Sequence, residues 1–164
     1  MCKARRTSSL RRDAASAIRY FDTSAILPLY LNEPASEEAQ AALTRDFGQL
    51  VTSELTLVEL RSGLARYERE GVLNAEQVRL VFERARSDLA QTPRRLELSS
   101  DVLTEALRLL DQHRAQPSRT LDVLHIATCL RYGTRGFVTN GKQQAQLARA
   151  AELEVRWLGG GLEP

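Results

Sequence analysis

The sequence predicts a single α/β domain in which a central, mostly parallel sheet is flanked by helices. The length of 164 residues fits one domain. Short β-branched or aromatic runs alternate with longer segments of helical periodicity, and such alternation predicts strands that pair in parallel through helical crossovers. We expect a domain at 18–158, preceded by a basic extension at 1–17 and followed by a tail at 159–164.

Five short runs have the composition of strands. The first, at 18–21, contains Tyr20 and Phe21 and stops at the polar residues Asp22, Thr23 and Ser24. The other four predicted strands are Leu50–Thr52, Leu96–Leu98, Gly136–Thr139 and Glu154–Leu158.

Capping residues mark the helices between these strands. One helix opens at Ser36, and the next is expected to use Ser53 as its N-cap and Gly71 as the residue just past its end. The remaining predicted helices open with a capping box at Asn74–Gln77, run from Ser99 or Ser100 to before Pro117, run from Thr120 to Tyr132–Gly133, and cover Lys142 to Leu153.

Composition excludes several classes of protein. The chain is 43% apolar and 27% charged, close to the globular average and far from disordered or collagenous sequences. Its longest apolar run, Ala25 to Leu31, is far shorter than the roughly 20 residues of a membrane-spanning helix. Cys2 and Cys129 form neither a disulfide framework nor a metal-ligand pair. We therefore expect no membrane span and a reducing, cytoplasmic setting.

Basic charge is concentrated at the beginning of the chain. The formal net charge is +2, but residues 1–17 carry five Lys or Arg and one Asp, which leaves the body slightly acidic. An acidic body does not predict a broad nucleic-acid surface. The segment 1–17 has three interpretations: a disordered extension, a basic arm that contacts phosphates, or an organellar transit peptide.

Three acids lie where apolar neighbours predict burial. Asp22 directly follows the first strand, Glu59 lies within an apolar helical run, and Asp122 lies in the first turn of a helix. Each also has a structural interpretation: Asp22 as an N-cap, Glu59 as an exposed helical residue, and Asp122 as a carboxylate favoured by the helix dipole. His125 shares the face of Asp122 and is either a packing residue or a support for the site.

The three acids are expected to meet at the carboxyl edge of the sheet, where parallel sheets bind ligands. Clustered carboxylates repel one another, and a divalent cation with oxygen ligands relieves that repulsion. The absence of a His or Cys ligand set in the sequence favours Mg²⁺ or Mn²⁺ over zinc. Such sites commonly hydrolyse phosphodiesters. Arg119 and Lys142 are candidate phosphate contacts, or ordinary solvated residues at helix starts.

Four segments, in this order and rough spacing, resemble the PIN-domain ribonucleases. They are Phe21–Ala25, Thr56–Leu60, Leu121–Ala127 and Phe137–Asn140. Within that family the chain is most similar to the VapC-type toxins of bacterial toxin–antitoxin systems. The resemblance extends from Ile18 to Leu158, which is nearly the whole body.

This resemblance implies an endoribonuclease that depends on Mg²⁺ or Mn²⁺. It also implies a homodimer inhibited by a small antitoxin that inserts a segment into the active-site groove. The site residues that it implies are the metal ligands Asp22, Glu59 and Asp122, with Thr23, Ser24 and Thr139 positioning water or phosphate.

One position departs from the family pattern. A further acid usually stands two residues after the Thr that ends the fourth strand, and here that position is Gly141. Asn140 is an oxygen donor one residue earlier, although a neutral amide binds Mg²⁺ less strongly than a carboxylate. A silent domain that binds RNA or protein without cutting is therefore the alternative function.

A different class of enzyme is also compatible with an acid after the first strand. In haloacid-dehalogenase-like phosphatases and receiver domains that acid accepts a phosphoryl group. Those proteins require a second acid nearby and a lysine late in the sheet. This chain has Ser24 at the place of the second acid, and Lys142 is its only late lysine.

Overall fold

The computed structural model describes residues 18–45, 50–91 and 95–160. The predicted extension at 1–17, and residues 161–164 of the predicted tail, lie outside these ranges. Within them, the strands form one parallel sheet with the order β3-β2-β1-β4-β5, so the predicted α/β architecture is confirmed. The strands are β1 (Arg19–Phe21), β2 (Leu50–Ser53), β3 (Arg95–Leu96), β4 (Gly136–Thr139) and β5 (Glu154–Trp157).

In the described ranges, two α-helices lie in each of the connections β1–β2, β2–β3 and β3–β4, and one α-helix connects β4 to β5. No helix in the described ranges is long and apolar enough to cross a membrane. The helices are α1 (Thr23–Ile26), α2 (Ser36–Arg45), α3 (Leu55–Arg69), α4 (Ala75–Ala90), α5 (Ser100–Gln112), α6 (Thr120–Arg131) and α7 (Lys142–Ala150), with 3₁₀ turns at Leu27–Leu29 and Leu158–Gly160.

The two faces of the sheet carry separate hydrophobic clusters. Tyr20 and Phe137 point to one face, where they pack with residues of α5, α6 and α7. Their neighbours Phe21 and Val138 point to the other face, where they pack with residues of α1 to α4. Successive residues of a strand alternate between faces, which explains why each central strand is apolar throughout. The result is a sheet covered by helices on both sides.

The sheet order places the site. From β1 the chain moves outward to β2 and β3, and then returns to add β4 on the opposite side of β1. This reversal opens a crevice at the carboxyl ends of β1 and β4, where ligands bind in open parallel sheets. Asp22 follows β1 and Thr139 ends β4, and the Asp22 N–H donates to the Val138 carbonyl at 3.1 Å. The fold therefore brings these two polar residues together.

Most of the predicted helix ends are confirmed. Asn74 and Gln77 form a reciprocal capping box, and Ser99 caps α5. Gly71 and Gly133 adopt φ of +72° and +71° just past α3 and α6, in the left-handed region that glycine adopts without strain.

The prediction that Ser53 caps α3 was wrong. Ser53 is the last residue of β2 and pairs with Leu96 of β3, so its backbone belongs to the sheet. Glu54 occupies the N-cap position and makes no capping hydrogen bond with its side chain. The strand extends one residue further than predicted, because its pairing with β3 continues to that point. The third strand covers only Arg95–Leu96, instead of Leu96–Leu98.

Candidate active site

A cavity of about 500 Å³ opens beside the carboxyl ends of β1 and β4. It gathers residues from four helices, α1, α3, α6 and α7, of which α1 directly follows β1 and α7 follows β4. Of the side chains that the sequence singled out, those lining the cavity are Asp22, Thr23, Ser24, Glu59, Arg119, Asp122 and Lys142. Thr139 lies behind this lining, next to Asp22, and Asn140 is not part of the lining.

Asp22 is the most deeply buried of the three acids. It caps α1 by accepting a hydrogen bond from the Ala25 N–H at 3.0 Å, so the N-cap interpretation also holds. Ser24 and Thr139 place their hydroxyl groups within hydrogen-bonding distance of its carboxylate, at 2.9–3.1 Å. Burial raises the pKa of Asp22 to about 6, although nearby His125 and the hydrogen bonds favour the charged form.

A network of polar groups supports Asp22 from β4. Thr139 Oγ1 lies 3.1 Å from Asp22 Oδ2 and accepts the Gly141 N–H at 3.0 Å. The same hydroxyl lies 2.6 Å from the side-chain amide of Gln144, which is almost wholly buried. A hydroxyl has one proton, so Thr139 can donate to Asp22 when the amide presents its N–H₂ group to Thr139. The network orients the carboxylate toward the cavity.

Asn140 contributes to the site through its backbone. Its N–H donates to Ser24 Oγ at 2.9 Å, and its carbonyl accepts from the Trp157 indole at 3.2 Å. These bonds tie the segment after β4 to the start of α1. The sequence suggested an amide oxygen for metal binding at this position, whereas the described contacts of Asn140 use its main chain.

Glu59 lies on α3 with one carboxylate oxygen engaged by two donors. Its Oε2 is 2.5 Å from His125 Nε2 and also accepts a hydrogen bond from the Thr23 hydroxyl. Partial burial alone would raise the pKa of Glu59, but the hydrogen bond and charge of His125 outweigh it and lower the pKa below its usual value. Glu59 is thus held in its ionised form.

Asp122 lies in the first turn of α6 and is half-buried. Burial raises the pKa of Asp122, and the nearby negative charge of Glu59 acts in the same direction, while Arg119 lowers it. Two of the three acids therefore bear a cost for carrying charge, which a bound cation would reduce.

Sequence reasoning missed three residues of this region. Gln144 and Arg66 line the cavity, and Tyr20 lies beneath it and contacts His125. Arg66 is mostly exposed and is indistinguishable in sequence from other arginines of its helix. The Gln144 side chain, three residues after Gly141, has a burial that only the folded chain reveals.

The donors at this cavity fit a hard divalent cation. In the described part of the chain, no three His, Cys, Asp or Glu side chains are already gathered closely enough to share a metal ion. The acids nevertheless supply oxygen ligands only, which Mg²⁺ and Mn²⁺ prefer. Burial raises the pKa values of Asp22 and Asp122, and a bound cation would favour their charged forms.

A larger cavity of about 910 Å³ lies between residues 28–32 and α2. The ionisable side chains of α2 that line this cavity are Glu37 and Arg45. This cavity has no group of acids comparable to the site at the end of β1 and β4. The chemistry therefore points to the smaller cavity.

The fold and the site define an α/β protein with a cleft that gathers three acids where the order of a parallel sheet reverses. The family model of the PIN domain matches residues 19–150, and the chain belongs to this family. No curated protein matches the sequence significantly.

Among the solved structures that share this fold, two match most of the chain. FitAcB from Neisseria gonorrhoeae is 18% identical with a TM-score of 0.69, over 87% of this chain and 99% of that chain. VapC20 from Mycobacterium tuberculosis, described as a toxin that cleaves the sarcin–ricin loop, is 16% identical with a TM-score of 0.62, over 84% of this chain and 98% of that chain.

Proposed function

We propose that the chain is a metal-dependent endoribonuclease and the toxin of a VapC-type toxin–antitoxin pair. The observation that carries this proposal is the convergence of Asp22, Glu59 and Asp122 on one cavity of a PIN domain. The fold shared with VapC20, a toxin that cleaves RNA of the sarcin–ricin loop, supports the same conclusion.

In this proposal Asp22, Glu59 and Asp122 hold Mg²⁺ or Mn²⁺. A cation held there would activate water and neutralise charge on the leaving oxygen of the phosphodiester. Ser24 and Thr139 hold the Asp22 carboxylate toward the cavity.

Cationic side chains at the same cavity are proposed to bind the RNA backbone. Arg119 and Lys142 both line it and are exposed, and Arg66 joins them from α3. Their positive charges can contact the phosphates on either side of the scissile bond, which positions the substrate without selecting its sequence. Selection of the RNA is then left to the shape of the groove.

The proposed partners are an RNA substrate, a small antitoxin that inserts a segment into the cavity of the three acids, and a second copy of the chain. The homodimer is supported by Leu103, Leu107 and Leu110, which form an exposed ridge along α5. We also propose a cytoplasmic location, which a free, buried cysteine at position 129 fits.

Gly141 favours a second candidate function. This residue occupies the place of the usual fourth acid and lines the cavity without offering a side-chain ligand. A domain that lacks this carboxylate can retain RNA or protein binding while cutting slowly or not at all. The two candidates differ in a single measurable property, which is metal-dependent cleavage.

The test is cleavage of a mixed pool of tRNA and structured RNA by the purified chain, with Mn²⁺ or with EDTA. The variants Asp22→Asn and Asp122→Asn remove charge from the cavity. Asp111→Asn removes a carboxylate from an exposed position outside the cavity and is the matched control.

Cleavage that requires Mn²⁺, persists in Asp111→Asn and disappears in both cavity variants is the expected result. Cleavage that survives EDTA or Asp22→Asn contradicts the proposed mechanism. If the wild type binds RNA but does not cut, while Gly141→Asp cuts, the second candidate function is correct.

A further inference from the structure

A chain of three side chains runs from the core of the domain to the candidate site. The Tyr20 hydroxyl lies 2.7 Å from His125 Nδ1, and His125 Nε2 lies 2.5 Å from Glu59 Oε2. Tyr20 and His125 are both almost completely buried, whereas Glu59 reaches the cavity. The proposed nuclease chemistry assigns no role to Tyr20 or His125.

The direction of the hydrogen bonds follows from the donors available. A carboxylate accepts only, so His125 Nε2 must carry the proton that faces Glu59. When the ring is neutral, Nδ1 is then an acceptor, and the Tyr20 hydroxyl donates to it. When the ring is cationic, Nε2 still donates to Glu59. In both protonation states the ring presents the same N–H to Glu59.

Tyr20 is itself rigidly held. Its ring stacks on Phe137 with centroids 5.6 Å apart and planes 2° from parallel. It meets the His125 ring edge-on, with centroids 5.7 Å apart. These contacts anchor the imidazole to the central strands β1 and β4, so that its orientation is set by the sheet.

The hydrogen bonds to Glu59 leave one oxygen available. In the described ranges, the hydrogen bonds that Glu59 accepts come from His125 and Thr23, and both end on Oε2, which leaves Oε1 available. Such outer partners fix the orientation of a ligating carboxylate and hold its second oxygen toward a cation. Glu59 projects from the second turn of a long helix and would otherwise sample several rotamers.

We propose that His125, held by Tyr20, is a positioning residue that fixes Glu59 for binding of the divalent cation. This inference rests on the proposed function, because it requires that Glu59 be a ligand. Removal of the imidazole leaves Glu59 with the Thr23 hydroxyl alone and frees its side chain to turn away from the cavity.

The test measures Mn²⁺ affinity of the full chain by isothermal titration calorimetry and by the electron paramagnetic resonance of free Mn²⁺. We expect His125→Ala to raise the dissociation constant by about 10-fold or more, the range typical for outer partners of metal ligands. His125→Gln, whose amide can offer an N–H near the position of Nε2, is expected to recover part of the affinity. Tyr20→Phe keeps the stacked ring and is expected to give a smaller loss.

Two controls separate positioning from a general loss of structure. Cys129→Ala removes a buried thiol one turn further along α6. In the wild type this thiol donates to the Thr134 carbonyl at 3.1 Å and does not contact Glu59. We expect it to retain wild-type Mn²⁺ affinity. The second control is a double-mutant cycle, in which His125→Ala added to Glu59→Gln causes no further loss of affinity.

Three results overturn the inference. Mn²⁺ affinity in His125→Ala equal to or tighter than wild type shows that the imidazole does not present Glu59 to the cation. An equal loss from His125→Ala in the wild-type and Glu59→Gln backgrounds shows a structural role. If wild type itself binds no Mn²⁺, the proposed function fails as well, whereas the first two results, obtained with a wild type that binds Mn²⁺, overturn this inference alone.

Discussion

At the scale of single residues, the three acids of the cavity are in different electrostatic states. Asp22 and Asp122 are pushed toward their protonated forms by burial, whereas Glu59 is held ionised by His125. A cation bound by all three acids would gain most of its binding free energy from Asp22 and Asp122, because burial disfavours their charged forms. In the proposed metal site, Glu59 would therefore be a preset ligand, and the ion itself would stabilise the charges of Asp22 and Asp122.

The first prediction concerns the pH dependence of stability in EDTA. Folding raises the pKa of Asp22 from 3.8, its value in the unfolded chain, to about 6. The protonated carboxyl therefore contributes stability that is fully present below about pH 4 and is lost as pH rises through 6. The loss is on the order of 2–3 kcal/mol. Asp22→Asn should reduce this fall, because an amide can still cap Ala25 without carrying charge.

Urea unfolding of both proteins at a series of pH values between 4 and 7 checks this prediction. Asp122 also has a raised pKa, so we expect a smaller fall in the variant and not its disappearance. Asp111→Asn, at an exposed site, should keep the wild-type profile. An Asp22→Asn profile as steep as that of wild type would place the titrating groups elsewhere.

The second prediction concerns Gly141. Its φ of −83° and ψ of 113° suit any L-residue, and an added Cβ would lie 3.4 Å from side-chain atoms of Gln144 and Thr139. Gly141 is also the N-cap of α7 and makes no side-chain capping bond. Gly141→Asp should therefore fit, tighten Mn²⁺ binding and, with Mn²⁺ bound, add a few tenths to about 1 kcal/mol of stability, whereas in EDTA repulsion from Asp22 opposes that gain.

Gly141→Ala is the matched variant for this prediction. It restricts the unfolded chain in the same way but provides neither a cap nor a ligand. Thermal unfolding and Mn²⁺ titration of both variants distinguish the contributions. Equal Mn²⁺ affinity in the Asp and Ala variants would show that a carboxylate at this position does not reach the cation.

At the scale of helices and strands, the end of α7 is unusual. The Leu153 N–H bonds to the Ala148 carbonyl and the Glu152 N–H to the Arg149 carbonyl, both at 3.0 Å, which closes the helix through a left-handed residue. That residue is Glu152, with φ of 63°, where glycine is the usual choice. A side chain in this conformation costs about 1 kcal/mol.

The third prediction is that Glu152→Gly stabilises the domain by about 1 kcal/mol, in spite of the greater freedom that glycine gives to the unfolded chain. Chemical denaturation measures the change. Glu152→Ala removes the same carboxylate but retains Cβ, and we expect it to leave stability nearly unchanged. If alanine stabilises as much as glycine, the effect comes from the glutamate side chain and not from the backbone.

The ends of the helices show where sequence reasoning succeeds and where it fails. Helix ends with a glycine, such as Gly71 and Gly133, were predicted correctly because glycine marks the left-handed position. The end of α7 was predicted at Leu153 and lies at Ala150, because Glu152 gives no such signal. Ser53 was misread as a cap because its side chain suits that role, whereas strand pairing decided its conformation.

The candidate site follows the same rule. Asp22, Glu59 and Asp122 stand out in sequence because apolar neighbours surround a charge. The bonds from His125 to Glu59 and to Tyr20 join residues 66 and 105 positions apart, and no local pattern encodes either pairing. The candidate ligands therefore stand out in the local sequence, while the side chains that contact Glu59 could be identified only in the folded chain.

At the scale of the whole molecule, the apolar surface that remains exposed is unevenly distributed. Leu103, Leu107 and Leu110 recur at the spacing of one helical face on α5 and are 51%, 65% and 40% exposed. They lie beside the buried residues of the same helix, so the apolar face continues past the core. Leu80 on α4 is also 52% exposed, and Val81 next to it is partly buried.

The fourth prediction is that the chain forms a homodimer through the ridge on α5. A two-fold axis pairs one surface with its own copy, so a leucine ridge can bury itself against the partner's ridge. Leu107→Lys places a charge at the most exposed point of the ridge and keeps a good helix former there. Size-exclusion chromatography with light-scattering detection measures the mass in solution. We expect about twice the 18.4 kDa of one chain for the wild type and about the mass of one chain for this variant. Leu80→Lys is the matched control and should remain dimeric, whereas dissociation by Leu80→Lys alone would place the interface on α4.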